Sequence, residues 1–360
     1  MSTIKVLHVI ARMNVGGTAR YVQTLVENIP NSKIATGFVQ GSETEDQTTE
    51  KLPIFRIKHL GRRVSLVNDY QSFKELRRYI RAEKPLIVHT HTFKAGLIGR
   101  LVGGSHKRIH TFHGHLYHDN SFSRLEKMLI TLTERILAKR TDALISVGSR
   151  VGRELRTKKI GKEKIWLSIA PGVKRYPTIS KQNARKQLGL SESGLIVGWM
   201  ARMTSVKNPQ LFIDVARRMP DVQFAMAGGG ELLDLMRAQA PANLKVVGWT
   251  NAALFLSAID ISISTSNNEG MPIALIEAQQ AGIPVLATNV GSNSEVIISG
   301  ETGFIIKKDA DTIAEVLHKL IFLPQLVKTL GKNAKAWANK EFSPDKMIQS
   351  HVKLYENILN

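Results

Sequence analysis

Glu269 and Glu277 stand eight positions apart, around Gly270-Met271-Pro272 and the apolar residues that follow. Residues 258–264 alternate apolar and small side chains like a buried strand, and residues 265–271 are polar and glycine-containing, as a strand-to-helix loop is. Pro272 suits the first turn of a helix, where its missing N–H has no intrahelical partner to lose. A helix over about 272–280 would begin with free backbone N–H groups and a partial positive charge, which attract phosphate. Glu269 would then sit just outside the helix and Glu277 about a turn and a half inside it. Carboxylates so placed can bind hydroxyls on both sides of a diphosphate, the order of groups in a nucleotide-sugar. The plainer alternative is that Glu269 caps the helix and Glu277 is solvated.

The elements that must position this segment alternate between strand and helix, which argues for parallel α/β sheets. Strand patterns fall at 6–11, 86–89, 108–112 and 143–147, and again at 195–200, 224–227, 245–247, 261–264, 284–287 and 304–306. Between the two series, residues 170–178 carry proline and glycine without periodicity. The reading is an α/β protein of two doubly wound domains, 1–175 and 176–342, followed by an amphipathic helix over 343–360 with Met347, His351, Leu354 and Ile358 on one side. Ligands of such sheets bind where strands end, so the loops after strands are the places to search. Gly16-Gly17 opens the first helix and lets backbone approach a phosphate or sugar, although a plain tight turn would look the same. Arg202 and Lys207 follow the strand ending at Met200 and could hold a diphosphate; read singly they are surface charges. Gly228-Gly229-Gly230 forms another strand-to-helix turn.

Composition narrows the classes. The 360 residues suit two domains, and zero cysteines exclude disulfides, a thiolate nucleophile and cysteine-ligated zinc. No run approaches the roughly 18 apolar residues of a spanning helix, and the N-terminus lacks a signal-peptide layout, so a cytoplasmic protein is expected. Charge is uneven: residues 1–175 hold 32 Lys and Arg against 14 Asp and Glu, a net of +18, whereas the remainder nets +2. Lys74, Arg77, Arg78 and Arg81 share a helix face, and Arg62-Arg63, Lys107-Arg108, Lys139-Arg140 and Lys158-Lys159 add to the excess. Each cluster alone reads as a solvated face; together they predict attraction of the N-terminal half to an anionic membrane surface. A nucleic-acid partner is disfavoured, because aromatic residues are only 6% and show no repeated stacking pattern. His110, His113, His115 and His118, with His89 and His91, raise the alternative of a metal site. A strand end followed by a loop is expected to scatter them, and no metal is expected.

Taken in order, Gly16-Gly17, His113, Arg202 with Lys207, Glu269-x7-Glu277 and Gly282-Ile283-Pro284-Val285 resemble the retaining glycosyltransferases of family 4, over essentially the whole chain. The resemblance implies the GT-B fold, two tandem Rossmann-like domains facing a central cleft, with the last helix crossing back to the first domain. It implies that Arg202 and Lys207 hold the donor diphosphate and stabilise its departure. Glu269 would hold hydroxyls of the transferred sugar, Glu277 the ribose, and the N–H groups of Gly270, Met271 and Ile273 around Pro272 would meet phosphate or sugar oxygens. Gly16 would line the phosphates, and His113 would face the sugar as an orienting group. Attack from the front side, with a donor phosphate oxygen taking the acceptor's proton, needs no metal and no cofactor beyond the nucleotide-sugar co-substrate. Asp309-Ala310-Asp311 is read as helix capping rather than a manganese site. The implied activity is hexosyl transfer from a nucleotide-sugar, UDP-sugar favoured over GDP-mannose. Its implied acceptor is a lipid-linked or glycan molecule of envelope polysaccharide synthesis, on the inner face of the cytoplasmic membrane. The alternatives are another GT-B activity, such as sugar-nucleotide epimerisation, or a basic nucleic-acid-binding protein. Two positions depart from the family pattern: Pro171, where Asn is frequent, and Ser292, where a second glycine is.

Overall fold

The structure is a computed structural model that describes residues 4–14, 16–39, 51–61, 65–114 and 122–360. Arg62-Arg63, His115 and His118 lie outside the described residues. The chain forms two units, one of Met1–Gly172 with Pro344–Asn360 and one of Val173–Ser343.

The first unit runs β1 (Val6–Ile10), α1 (Gly17–Asn28), β2 (Ser32–Thr36), β3 (Ile54–Arg56), α2 (Leu66–Glu83), β4 (Ile87–His91), α3 (Phe93–Leu101), β5 (Lys107–Phe112), α4 (Arg124–Lys139), β6 (Ala143–Ser146), α5 (Ser149–Thr157) and β7 (Ile165–Ser168). Its seven strands take the order β3-β2-β1-β4-β5-β6-β7, all parallel. The second unit runs α6 (Lys181–Leu188), β8 (Ile196–Met200), α7 (Pro209–Arg218), β9 (Gln223–Ala227), α8 (Leu233–Gln239), β10 (Leu244–Gly248), α9 (Ala252–Ala258), β11 (Ile261–Ser264), α10 (Ile273–Gln280), β12 (Val285–Thr288), α11 (Asn293–Val296), β13 (Gly303–Ile306), α12 (Ala310–Ile321) and α13 (Pro324–Glu341); α14 (Pro344–Leu359) returns to the first unit. Its six parallel strands are ordered β10-β9-β8-β11-β12-β13.

Every strand expected from the sequence is present, and β2, β3 and β7 are additional. Short, polar Ser32–Thr36 and three-residue Ile54–Arg56 give too little pattern to stand out as strands, because pairing in the sheet rather than composition defines them.

Strand alternation sorts the first sheet into two chemistries. Leu7, Val9 and Val88 face Leu76 and Ile80 of α2 and Ala95 and Ile98 of α3 in an apolar core. The intervening His8, His89 and His91 are fully buried on the opposite face, where Tyr21 of α1 and His351 and Tyr355 of α14 meet them. In the second unit Trp199, Phe212, Phe224, Met226, Leu286 and Leu317 belong to one continuous core.

Helix α4 is started by a capping box, Ser123 Oγ accepting from Glu126 N and Glu126 returning a carboxylate to Ser123 N. Its inward face carries Glu134, whose two oxygens accept from Arg100 Nη2 of α3 at 2.9 and 2.8 Å. Both side chains are buried, and burial opposes both charges, pulling the guanidinium down and the carboxyl up from their ordinary values despite the pairing. Glu134→Ala would strand the Arg100 charge and is expected to cost about 3–5 kcal/mol, read by urea unfolding. Replacing both together, Arg100→Met with Glu134→Leu, should cost less than the single change; equal cost would show that the pair is not what holds α4.

Candidate functional site

In the second unit the strand order reverses between β8 and β11, and the loops that follow these strands diverge at that point, which is where open α/β sheets bind ligands. The two loops are stitched together. Asn267 N donates to Val206 O at 2.8 Å, Asn267 Nδ2 to Ser205 O at 2.9 Å, and Thr265 Oγ1 to Asn208 O at 2.8 Å. Trp199 Nε1 in turn donates to Thr265 Oγ1 at 3.0 Å, tying the loops to the core. Asn208 adopts left-handed backbone, φ 47°, immediately after Lys207, a conformation costly for a non-glycine residue and typical of sites where position matters.

These constraints deliver Lys207 to Glu269. Lys207 Nζ donates to both carboxylate oxygens, at 2.6 and 2.7 Å, and Ser266 Oγ donates to Oε1 at 2.7 Å. The Glu269 side chain is 8% exposed. Glu269 is therefore no helix cap, and Lys207, expected on a diphosphate, has its charge on Glu269. Arg202 lies exposed on the same β8 loop. The backbone around Glu269 is held from the other side: Ser292 N donates to Gly270 O at 3.1 Å. Gly291, φ 49°, packs so closely that a β carbon would fall 1.8 Å from Glu269 O. The glycine this contact requires is Gly291, which explains how Ser292 is tolerated next to it.

Helix α10 begins at Ile273, with Pro272 at the N-cap and no side-chain cap. Pro272 thus stands one residue before the expected first turn, because its ψ of 96° is extended rather than helical. Gly270, Met271 and Ile273 are partly exposed while Pro272 is buried. Glu277 is 4% exposed and accepts from Tyr176 Oη at 2.7 Å, so it is not a solvated residue. Tyr176 lies in the irregular stretch that the sequence shows only as a connection, and nothing in its spacing marks it. The glycine run after β9 serves packing: at Gly228, φ 126°, a β carbon would lie 1.8 Å from Ala201 O, so this glycine lets the β9 and β8 loops touch. Asp309 accepts from Thr312 N at 2.8 Å as the N-cap of α12, and Asp311 pairs with Arg218, as the capping reading expects.

In the first unit, Gly16 precedes α1 with extended backbone, and a β carbon there would meet no atom within 4 Å; Gly17 begins the helix and is exposed. His113 follows β5 and belongs to a buried cluster. The expectation that the histidines scatter is corrected: His8, His89 and His91 converge, with one ring nitrogen of each within 4.8 Å of the others. The reason is register, since His8 pairs with His89 across β1 and β4 and His91 stands two residues along on the same face. His110 turns the other way, to Thr90 Oγ1 at 2.8 Å. Cross-strand alternation carried this signal; His8 was overlooked because it is distant in sequence.

Ring tautomers follow from the partners. Met347 O only accepts, so His351 Nδ1 donates to it at 2.8 Å and Nε2 accepts from Tyr21 Oη at 3.1 Å. His89 Nδ1 is hydrogen-bonded with Tyr355 Oη and its Nε2 with Thr111 Oγ1, both at 2.7 Å. A second chain runs from His8 Nδ1 to His91 Nε2 and from His91 Nδ1 to His113 Nε2, each 3.1 Å. His8 Nε2 is buried with no partner among the described residues. An unpaired lone pair there is cheaper than an unpaired N–H, so His8 donates outward along the chain and His113 presents Nδ1–H. The edge of Tyr21 packs on His113 at 4.8 Å, fixing the ring. Both nitrogens of His89 and His91 are thus occupied by protein partners. Burial drives these imidazoles to the neutral form: His8 and His113 fall to about 3 and His351 to about 4, with His89 and His91 also well below the usual value.

Two Rossmann-like units with these loops define a GT-B glycosyltransferase. Among solved structures, sucrose-phosphate synthase from Thermosynechococcus elongatus has a TM-score of 0.85 at 19% identity, covering 98% of this chain and 99% of its own. HepE from Anabaena, in complex with UDP and glucose, has a TM-score of 0.83 at 17% identity, covering 98% and 100%. The chain belongs to glycosyltransferase family 4: residues 15–173 match the sequence model "Glycosyltransferase Family 4" and residues 180–337 match "Glycosyl transferases group 1". Its relatives include the UDP-Gal:alpha-D-GlcNAc-diphosphoundecaprenol alpha-1,3-galactosyltransferase of Escherichia coli, 27% identical over 98% of this chain and 97% of that protein. Another is the capsular polysaccharide biosynthesis glycosyltransferase CapM of Staphylococcus aureus, 23% identical over 89% and 88%.

The neutral imidazole cluster sets a pH dependence. Folded values lie below the unfolded value near 6.5, so the unfolded chain binds more protons between them, and the stabilisation is whole above about 6.5 and lost as pH falls toward 3–4. Melting temperature is expected to be flat from pH 7 to 8 and to drop steadily below 6. In His351→Asn that acid slope should be shallower, measured by calorimetry; an unchanged slope would remove the cluster as its cause.

Proposed function

We propose that the protein is a retaining, metal-independent hexosyltransferase that uses a UDP-sugar, in preference to GDP-mannose, to extend a lipid-linked acceptor in cell-envelope polysaccharide synthesis. The observation that carries this reading is a pair of carboxylates at the switch point of the second sheet, Glu269 fixed by Lys207 and Ser266 and Glu277 fixed by Tyr176, on either side of the start of α10. The E. coli relative's UDP-galactose donor and diphosphoundecaprenol acceptor, and the UDP of the HepE complex, support the donor and acceptor classes.

In this reading Glu277 binds ribose hydroxyls and Glu269 binds hydroxyls of the sugar. The bond from the anomeric carbon to the phosphate oxygen breaks, the acceptor oxygen bonds to the same face, and its proton passes to a donor phosphate oxygen. Arg202, Lys207 and the first N–H groups of α10 stabilise the charge that develops on the diphosphate, a task that preorganised donors perform well. Lys207 has a second use, holding the Glu269 carboxylate in place. Gly16 and Gly17 give the donor room at the start of α1. His113, neutral and carrying its proton on Nδ1, donates a hydrogen bond to the sugar and does not serve as base. No metal ion enters this scheme, and the buried His8, His89 and His91 are structural. Lipid-linked substrate puts the enzyme at the inner face of the cytoplasmic membrane, drawn there by its basic first half; among the described residues no helix is long and apolar enough to cross a membrane.

A thermal-shift screen in EDTA should show stabilisation by UDP and by one UDP-sugar, and none by GDP-mannose. Lys207→Ala is expected to lower kcat/KM by about 100-fold or more, the scale of a lost transition-state donor. His113→Ala should reduce kcat with little change in the UDP shift, and the product should keep the donor's anomeric configuration. A requirement for manganese, an inverted product, or full activity in Lys207→Ala would defeat the scheme.

A further inference from the structure

Helix α4 has an outward apolar face that is exposed among the described residues. Leu125, Met128, Leu129, Leu132 and Ile136 are each more than half exposed. Their spacing i, i+3, i+4, i+7 and i+11 confines them to an arc of about 100° on a 3.6-residue helix, so they form one stripe rather than scattered apolar residues. The inward face is fully committed, through Leu137, Ala138 and the Arg100–Glu134 pair, so the stripe is not a core face temporarily turned out.

Charge around the stripe has one sign. Arg124, Arg135, Lys139 and Arg140 are exposed on and beside α4. Arg135 Nε donates to Lys158 O at 2.7 Å, which brings the Lys158-Lys159 pair alongside. The two carboxylates of α4 are spent elsewhere, Glu126 in the capping box and Glu134 in the buried pair. An apolar stripe with a cationic rim and no free carboxylate matches a helix lying in the headgroup layer of an anionic bilayer. A second copy of this chain is a poorer occupant, because a net charge of +20 would bring two basic rims together.

We propose that α4 is a membrane-insertion helix, whose Leu125-Met128-Leu129-Leu132-Ile136 stripe enters the acyl boundary of an anionic bilayer while its basic rim binds the lipid phosphates. The inference deepens the membrane side of the proposed function, to which it adds a specific insertion surface distinct from diffuse charge attraction.

The test uses the whole protein and vesicles of phosphatidylcholine with or without about a third phosphatidylglycerol. Wild type should bind the anionic vesicles, and Leu129→Glu with Leu132→Glu should reduce binding by about tenfold or more even at low salt, since burial of the stripe and not charge alone holds the helix. Arg124→Gln with Lys139→Gln should weaken binding more at low salt than at high salt. Because the altered leucines are exposed, melting temperature should not change, and any UDP shift should be retained. The proposal is overturned if wild type ignores anionic vesicles, if the glutamate variant binds as wild type does, or if wild type self-associates and the variant is monomeric, which would make the stripe a contact between copies. Absence of any nucleotide shift in wild type would count against the glycosyltransferase scheme and leave the vesicle result standing.

Discussion

The reversal of strand order between β8 and β11 is the constraint on which the second unit's chemistry depends. Parallel pairing on both sides of β8 sends α7 and α10 away from a common point, and the loops left there cannot fill it with apolar side chains without closing the sheet's ligand-binding end. Polar stitching takes their place. Thr265 and Asn267 donate across to the carbonyls of Asn208, Ser205 and Val206, and with the loops so joined Lys207 and Glu269 stand at bonding distance. The strained Asn208 backbone and the forced closeness of Gly291 to Glu269 are what such positioning costs.

The first unit solves a different problem with different means. Six polar rings, His8, His89, His91, His351, Tyr21 and Tyr355, occupy a layer between sheet and helices that apolar residues could have packed. Burial obliges their polar atoms to find partners, and all of the ring nitrogens and hydroxyls except His8 Nε2 do so. The partners found give the layer direction: hydrogen bonds run one way to the carbonyl of Met347, and a separate chain runs outward to His113. A cluster of this kind specifies one arrangement of rings more strictly than apolar packing does.

Much of this was legible in the sequence, and the reasons for the rest are physical. Strand-and-helix alternation marks the class because buried parallel strands are contiguous apolar runs, and Arg202, Lys207 and Glu269 stand out as charges in the loops after such runs, with Glu277 one helix turn further on. Tyr176 was silent, since a tyrosine in an irregular stretch has no periodicity to betray its hydroxyl's partner. His8 was silent for another reason: its meaning depends on the register of β1 against β4, a tertiary fact. The exposed stripe of α4 reads in the sequence as an ordinary amphipathic helix, for periodicity shows that an apolar face exists and not whether the protein covers it.

Helix α14 completes the first unit although it follows the second in the chain. Tyr355 and His351 are translated only after all of Val173–Ser343, and until they arrive His89 Nδ1 lacks Tyr355 and Tyr21 Oη lacks His351. The ribosome can therefore release a second unit able to fold from its own contiguous segment while the first, though older, waits half-built. Synthesis runs from N- to C-terminus, yet the segment that completes the first unit is made after the whole of the second.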